Sequence, residues 1–165
     1  INEALQYETD TLHFYKHDMR LPFWINYFDY AFNFFTSFGY FEHEEDDLNT
    51  IKAIKADLND SGFGVIDFMN IDFVLENLVL EEVKVVDGIT FFLRRYVQDG
   101  YLYKDINFSQ NGEEHSFQER VKAFSLSDFE SLFEQAGVYL LDIFGDYKLN
   151  KFNPATSERL VMIFK

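Results

Sequence analysis

The sequence predicts an α/β fold: a mostly parallel sheet with helices between its strands, interrupted by an antiparallel β-meander. Three observations carry this. Short, nearly unbroken apolar runs at 28–35, 63–69 and 138–144 alternate with stretches of helical period, the pattern of buried strands joined by helical crossovers. Asp87-Gly88, Asp99-Gly100 and Asn111-Gly112 are three two-residue hairpin signals in close succession. The chain has 165 residues, 47% of them hydrophobic, which suits one domain that buries roughly 70% of its unfolded surface.

Taken in order, residues 2–8 read as the tail of a helix. Residues 12–16 are β-favouring and predict a first strand, closed by His17, Asp18, Met19 and Arg20 and broken at Pro22. The run Phe-Asp-Tyr-Ala-Phe-Asn-Phe-Phe at 28–35 predicts a second strand buried on both faces. A helix follows over 44–59. Glu44, Glu45, Asp46 and Asp47 fill its first turn, where the helix dipole favours acids, and Leu48, Ile51, Ile54 and Leu58 form its apolar stripe. Ser61-Gly62 is read as a turn before a strand at 63–69 and a short helix at 71–78.

The meander takes strands from 83–86, 89–97, 101–109 and 115–124. Ser127-x-x-Glu130 has the form of a capping box. It opens a helix whose buried stripe is Phe129, Leu132, Phe133 and Ala136, with Gly137 at its C-terminal end. Runs at 138–144 and 160–164 are the last strands. They are joined by a loop that holds Pro154 and no helix, so they are expected to be antiparallel at the sheet edge. The whole chain, 1–165, is read as a single domain with 81–124 inserted within it.

Lys and Arg total 14 and Asp and Glu 29, a formal charge of −15. Such a charge repels phosphate backbones and anionic lipid, so neither nucleic acid nor membrane is expected as a partner. The absence of Cys removes disulfides, thiolate nucleophiles and Cys-ligated zinc. No apolar run reaches the ~18 residues of a membrane span, and a cytoplasmic location is expected. The four His (13, 17, 43 and 115) are scattered, and no metal site is expected. There is no Gly-x-Ser-x-Gly elbow. Gly62-Phe63-Gly64 enters a strand, whereas a phosphate loop must leave one and open a helix.

Open parallel sheets bind ligands at the carboxyl ends of their strands. Here those ends carry His17 to Arg20, then Asn33 to Phe41, then Asp67, Asn70 and Asp72, then Gly145 to Tyr147. A carboxylate followed by a free backbone N–H, as in Asp18-Met19, can read an adenine edge; the other reading is a solvated loop with Asp18 near Arg20. The run Phe-Phe-Thr-Ser-Phe-Gly-Tyr-Phe at 34–41 interleaves rings with small polar residues. It suits a flat or sulfonium ligand, since ring faces attract cations, or else simple core packing. An unrelated nucleotide or flavin binder would require a phosphate-gripping loop that the sequence lacks.

The segments Leu-His-Phe-Tyr-Lys-His-Asp-Met-Arg-Leu-Pro-Phe (12–23), Phe-Asp-Tyr-Ala-Phe-Asn-Phe-Phe-Thr-Ser-Phe-Gly-Tyr-Phe (28–41) and Ser-Gly-Phe-Gly-Val-Ile-Asp-Phe-Met-Asn (61–70) resemble class I S-adenosylmethionine-dependent methyltransferases, in particular a bacterial branch. The likeness continues through 125–137 and 144–147. It implies a Rossmann-like sheet and S-adenosylmethionine as cofactor. It places Asp18 and Met19 at the adenine and Asn33, Phe34 and Phe35 along the methionine part. Arg20, Ser37 and Phe38 complete the cofactor set, and Tyr40, Asn70 and Tyr147 face the acceptor. The implied reaction is methyl transfer to an N, O or C nucleophile of a small-molecule or protein acceptor.

The family's Gly-rich loop after its first strand, and the acid after its second, are absent from this sequence, which begins at Ile1 and reads as the later two-thirds of such a fold. Activity in this chain is therefore expected to be weak or lost. The alternative is a non-catalytic binding or dimerisation module that uses the 81–124 meander. In the family the absent strands would lie between 12–16 and 28–35. Without them the second strand has a bare apolar edge. Either 12–16 pairs directly beside 28–35, or a second copy covers that edge, which predicts a homodimer or other self-association.

Overall fold

A computed structural model of the protein describes residues 2–165. The elements, in chain order, are α1 (Asn2–Leu5), β1 (Phe28–Asn33), α2 (Glu44–Asp57), β2 (Leu58–Met69), α3 (Ile71–Glu76), β3 (Glu81–Val86), β4 (Ile89–Gln98), β5 (Tyr101–Gln110), β6 (Glu113–Lys122), α4 (Leu126–Ala136), β7 (Leu140–Phe144) and β8 (Arg159–Phe164). The strands form two four-stranded sheets, ordered β1-β2-β8-β7 and β3-β4-β5-β6.

The first sheet is mixed, which corrects the expectation of a mostly parallel one. Only β1 and β2 are parallel, because only they are joined by a crossover helix, α2. β8 runs antiparallel to both β2 and β7, and β7 lies at the edge as expected. Residues 12–16 form no strand; a single bridge between Thr9 and Leu12 is all the pairing there. Pairing of that segment beside β1 is thus ruled out. Among the described residues no strand lies on the outer side of β1. Its neighbours leave it half open: Tyr30 is 60% and Phe32 56% exposed, where burial on both faces was expected.

Three local readings shift. Ser61-Gly62 is not a turn between elements. β2 starts directly after α2, and its extra residues are taken up by an irregularity that sets Phe28 opposite Leu58 but Tyr30 opposite Phe63. The capping box lies two residues earlier than read: Asp128 N–H donates to Ser125 Oγ (3.3 Å) and Ser125 N–H to Asp128 Oδ2 (2.7 Å). The buried face of α2 is turned toward Asp47, Thr50, Ile51 and Ala53, so Asp47 is a buried acid rather than a solvated one. By contrast, α4 buries Phe129, Leu132, Phe133 and Ala136, and Gly137 adopts the left-handed conformation.

The core lies on the α2/α4 side of the first sheet. Ile66 and Phe68 of β2 and Leu160, Met162 and Phe164 of β8 meet Ile51, Phe38, Phe129 and Phe133. Rings pack tilted or edge-on, with Phe68–Phe129 centroids 5.1 Å and Phe133–Phe164 centroids 4.8 Å apart. Phe164 lies so flat on Gly64 that a Cβ there would stand 2.3 Å from the ring.

In the second sheet all three hairpin turns have both central residues at positive φ. That is the type I′ geometry whose twist matches paired strands. This sheet joins the core through Leu102 and Val121. It joins the loop after β1 by a bond from Lys122 N–H to Gly39 O (2.8 Å). A buried ion pair between Lys122 and Asp47 ties it to α2. Among the described residues no helix is long and apolar enough to cross a membrane.

Candidate functional site

The strand order puts the carboxyl ends of β1 and β2 side by side. At the end of β1, Asn33 is buried and its Oδ1 has no hydrogen-bond partner. The next two rings, Phe34 and Phe35, are 41% and 78% exposed. Phe35 and Thr36 both lie in the left-handed region, with φ of 59° and 57°, a conformation that costs roughly 1–3 kcal/mol for such residues and persists only where neighbours enforce it.

The enforcing group is Asp67 of β2, which is fully buried. Phe35 N–H donates to its Oδ2 (2.8 Å) and Thr36 N–H to its backbone carbonyl (3.1 Å). Arg159, at the start of β8, donates from Nε to Asp67 Oδ1 (2.8 Å) and also reaches Thr36 Oγ1 (3.1 Å). Tyr147, in the loop after β7, donates its hydroxyl to Asp67 Oδ2 (2.9 Å). Desolvation, and then the bond to Asp67, raise the Tyr147 phenol above its ordinary value.

Asn33, Phe34, Phe35 and Tyr147 are therefore brought to one place, with Ser37 holding the turn through a bond from its Oγ to Phe34 O (2.6 Å). Phe38 is not part of that surface. It is fully buried between Phe124 and Phe129 and serves the core. Asn70 is also buried and donates from Nδ2 to Pro154 O (2.7 Å) and Ser157 O (2.8 Å), so it fixes the loop before β8. Tyr40 is half exposed, and its phenol is raised by burial and by Glu119.

Asp18, Met19 and Arg20 form a separate turn. Arg20 grips Asp18 from Nε (3.0 Å) and from its outer nitrogen (2.7 Å). This contact holds the Asp18 carboxyl at about 2. The same guanidinium bonds Asp46 in the first turn of α2 (3.1 Å) and lies over the Phe41 ring. The turn is thus docked to the helix that follows the aromatic shelf. Asp67 appears in the sequence only as one of several acids at strand ends. Its one signal is an acid set inside the apolar run Val-Ile-Asp-Phe-Met; Arg159 and Thr36 give none. Among the described residues no cluster of His, Asp and Glu can hold a metal. A surface cavity of about 560 Å³ lies away from the shelf, beside Leu141, Ile143, Leu149 and Phe152.

No protein-family model matches the sequence, and no curated protein matches it. Solved structures do. An S-adenosylmethionine-dependent methyltransferase from Clostridium acetobutylicum superposes with a TM-score of 0.84 at 16% identity, over 99% of this chain and 68% of that one. The CcbJ methyltransferase from Streptomyces caelestis gives 0.76 at 13%, over 91% and 61%. The sugar N-methyltransferase KedS8 from a Streptoalloteichus species gives 0.71 at 13%, over 98% and 66%. The chain therefore carries the fold of class I S-adenosylmethionine-dependent methyltransferases, over about two thirds of the length of those proteins.

Proposed function

We propose that this fold serves S-adenosylmethionine-dependent methyl transfer to a small-molecule or protein acceptor, and that this chain contributes one side of the cofactor site. The residues present fit that side. The observation that carries the reading is the orphaned, buried Asn33 Oδ1 next to the exposed Phe34 and Phe35 rings at the strand tips. A buried acceptor without a donor is costly, and a ligand N–H relieves it. When bound, the cofactor supplies a methyl group on a sulfonium cation. The Phe34 and Phe35 faces attract such a cation, Asp18 accepts from an exocyclic amine, and Arg20 orients the Asp18 carboxylate. Met19 and Ser37 shape the two turns. Tyr40 and Tyr147 flank the acceptor, and Asn70 fixes the loop behind it. In-line transfer rests chiefly on positioning, so no general base is assigned.

This reading requires the demethylated cofactor product to bind at the Phe34 and Phe35 rings. Saturation-transfer NMR with S-adenosylhomocysteine tests this. The adenine and homocysteine protons should receive saturation from the protein. Phe34→Ser together with Phe35→Ser should abolish the transfer; equal transfer in the double variant would refute the reading.

A second reading has its own observation. The register of β4, β5 and β6 continues the core face of Leu102 and Val121 outward through Leu93, Ile106 and Phe117 and through Phe91 and Phe108. Phe117 there is 58% exposed. In this reading the meander is a self-association surface of a homodimer. Sedimentation of Phe117→Glu, which leaves Lys122, Leu102 and Val121 in place, separates the two: a dimer that becomes a monomer supports the interface, and unchanged sedimentation opposes it.

A further inference from the structure

We infer that Asp67 is the positioning residue of this site, setting the aromatic shelf and Tyr147 through a single carboxylate; this rests on the reading just given. Asp67 lies third from the C-terminal end of β2, between Ile66 and Phe68, and all three are fully buried. A buried ion pair is commonly no more stable than an apolar replacement, so the fold of β2 alone gives no reason for a carboxylate there.

Its partners give one. Two of them, Phe35 and Tyr147, belong to the ligand side. Phe35, 78% exposed and left-handed, has its N–H on Oδ2. Tyr147, 58% exposed in a loop, has its hydroxyl on the same oxygen. Arg159 neutralises the other oxygen and extends to Thr36 Oγ1. This closes a ring from Asp67 through Arg159 and Thr36 back to Phe35. Bonds to a charged acceptor are the strong ones, and here they offset backbone strain in the turn. Cofactor side and acceptor side are thereby both held by Asp67 Oδ2.

The test uses the 165-residue chain with Asp67→Asn, Tyr147→Phe and Arg159→Lys. Amide hydrogen exchange is followed by NMR at Phe35 and Thr36 and, as a reference for global stability, at Ile66, Phe68 and Met162. Asp67→Asn should speed exchange at Phe35 by roughly 10- to 100-fold relative to those core amides. Arg159→Lys should speed Thr36 by a smaller factor, and Tyr147→Phe should leave Phe35 slow. Unchanged exchange at Phe35, or equal acceleration at shelf and core, overturns the inference. If Asp67→Asn fails to fold, Arg159→Lys decides by the same ratio at Thr36. S-adenosylhomocysteine affinity, roughly 10-fold weaker in Asp67→Asn, is read separately. Failure of the unsubstituted chain to bind it would refute the proposed function, while the exchange ratio still decides the role of Asp67.

Discussion

Replacing Lys122 with Met removes the cation that compensates Asp47, a fully buried acid of α2 facing the end of β6. Asp47 is fully buried, its Oδ1 is unpartnered, and its other oxygen is held by Lys122. Burial pushes the Asp47 carboxyl above its ordinary value, with Lys122 pulling the other way. Leaving such an acid unpaired costs about 3–5 kcal/mol at neutral pH, a fall in Tm of about 10 °C or more for a chain of this length. The pH dependence has a defined sign. A carboxyl with a raised folded pKa binds more protons in the native state, so its contribution is fully present below about pH 4 and is lost as pH rises through the folded value. Without Lys122 that window extends upward, so the variant should lose most at pH 7–8 and least near pH 4.5. Urea unfolding followed by circular dichroism across this range measures both terms. The paired replacement Asp47→Leu with Lys122→Met should recover stability to within about 1 kcal/mol of the parent. A single-variant loss below about 1 kcal/mol, or a loss independent of pH, would refute this account of how the meander is held.

Gly64→Ala should destabilise by about 1–3 kcal/mol, because a Cβ 2.3 Å from the buried Phe164 ring forces that ring out of place; thermal unfolding checks it. The Asp18 carboxyl, followed by carbon-detected NMR, should titrate at about 2 and return to about 3.9 in Arg20→Gln. Its lowered value means that its contribution is present above about pH 4 and lost as pH falls toward 2; no shift in Arg20→Gln would show that the ion pair is not formed. Phe32→Glu, on the open face of β1, should lower any self-association in sedimentation without lowering Tm. A fall in Tm with unchanged sedimentation would place Phe32 in the fold rather than at an interface.

Where short-range chemistry decides the structure, the sequence could be read closely. The hairpins follow because Asp-Gly and Asn-Gly tolerate the positive φ that type I′ turns demand. The buried stripe of α4 follows from its 3.6-residue period. The readings that moved depended on partners distant in sequence. Residues 12–16 have strand composition but no neighbouring strand to bond, and β1 has a buried-strand composition on an uncovered edge. At the site, Phe34 and Phe35 are exposed where a strand buried on both faces was read, and only the mixed surface-and-core character of the run 34–41 was legible. The burial of Phe38 was not, because it depends on Phe124 and Phe129 arriving from far along the chain. Asp67 was visible only as an acid in an apolar run. Its contacts with Tyr147 and Arg159 span 80 and 92 positions, which no local pattern encodes.

On the proposed reading, the tips of β1 and β2 and the Asp18 turn together present a surface built for an adenosyl sulfonium. Amide chemical shifts of the isotope-labelled chain, titrated with S-adenosylhomocysteine to several millimolar, test it most directly. The account predicts saturable shifts confined to Asp18, Met19, Asn33, Phe34, Phe35 and Ser37. Shifts spread over the meander instead, or none at these six amides, would contradict it.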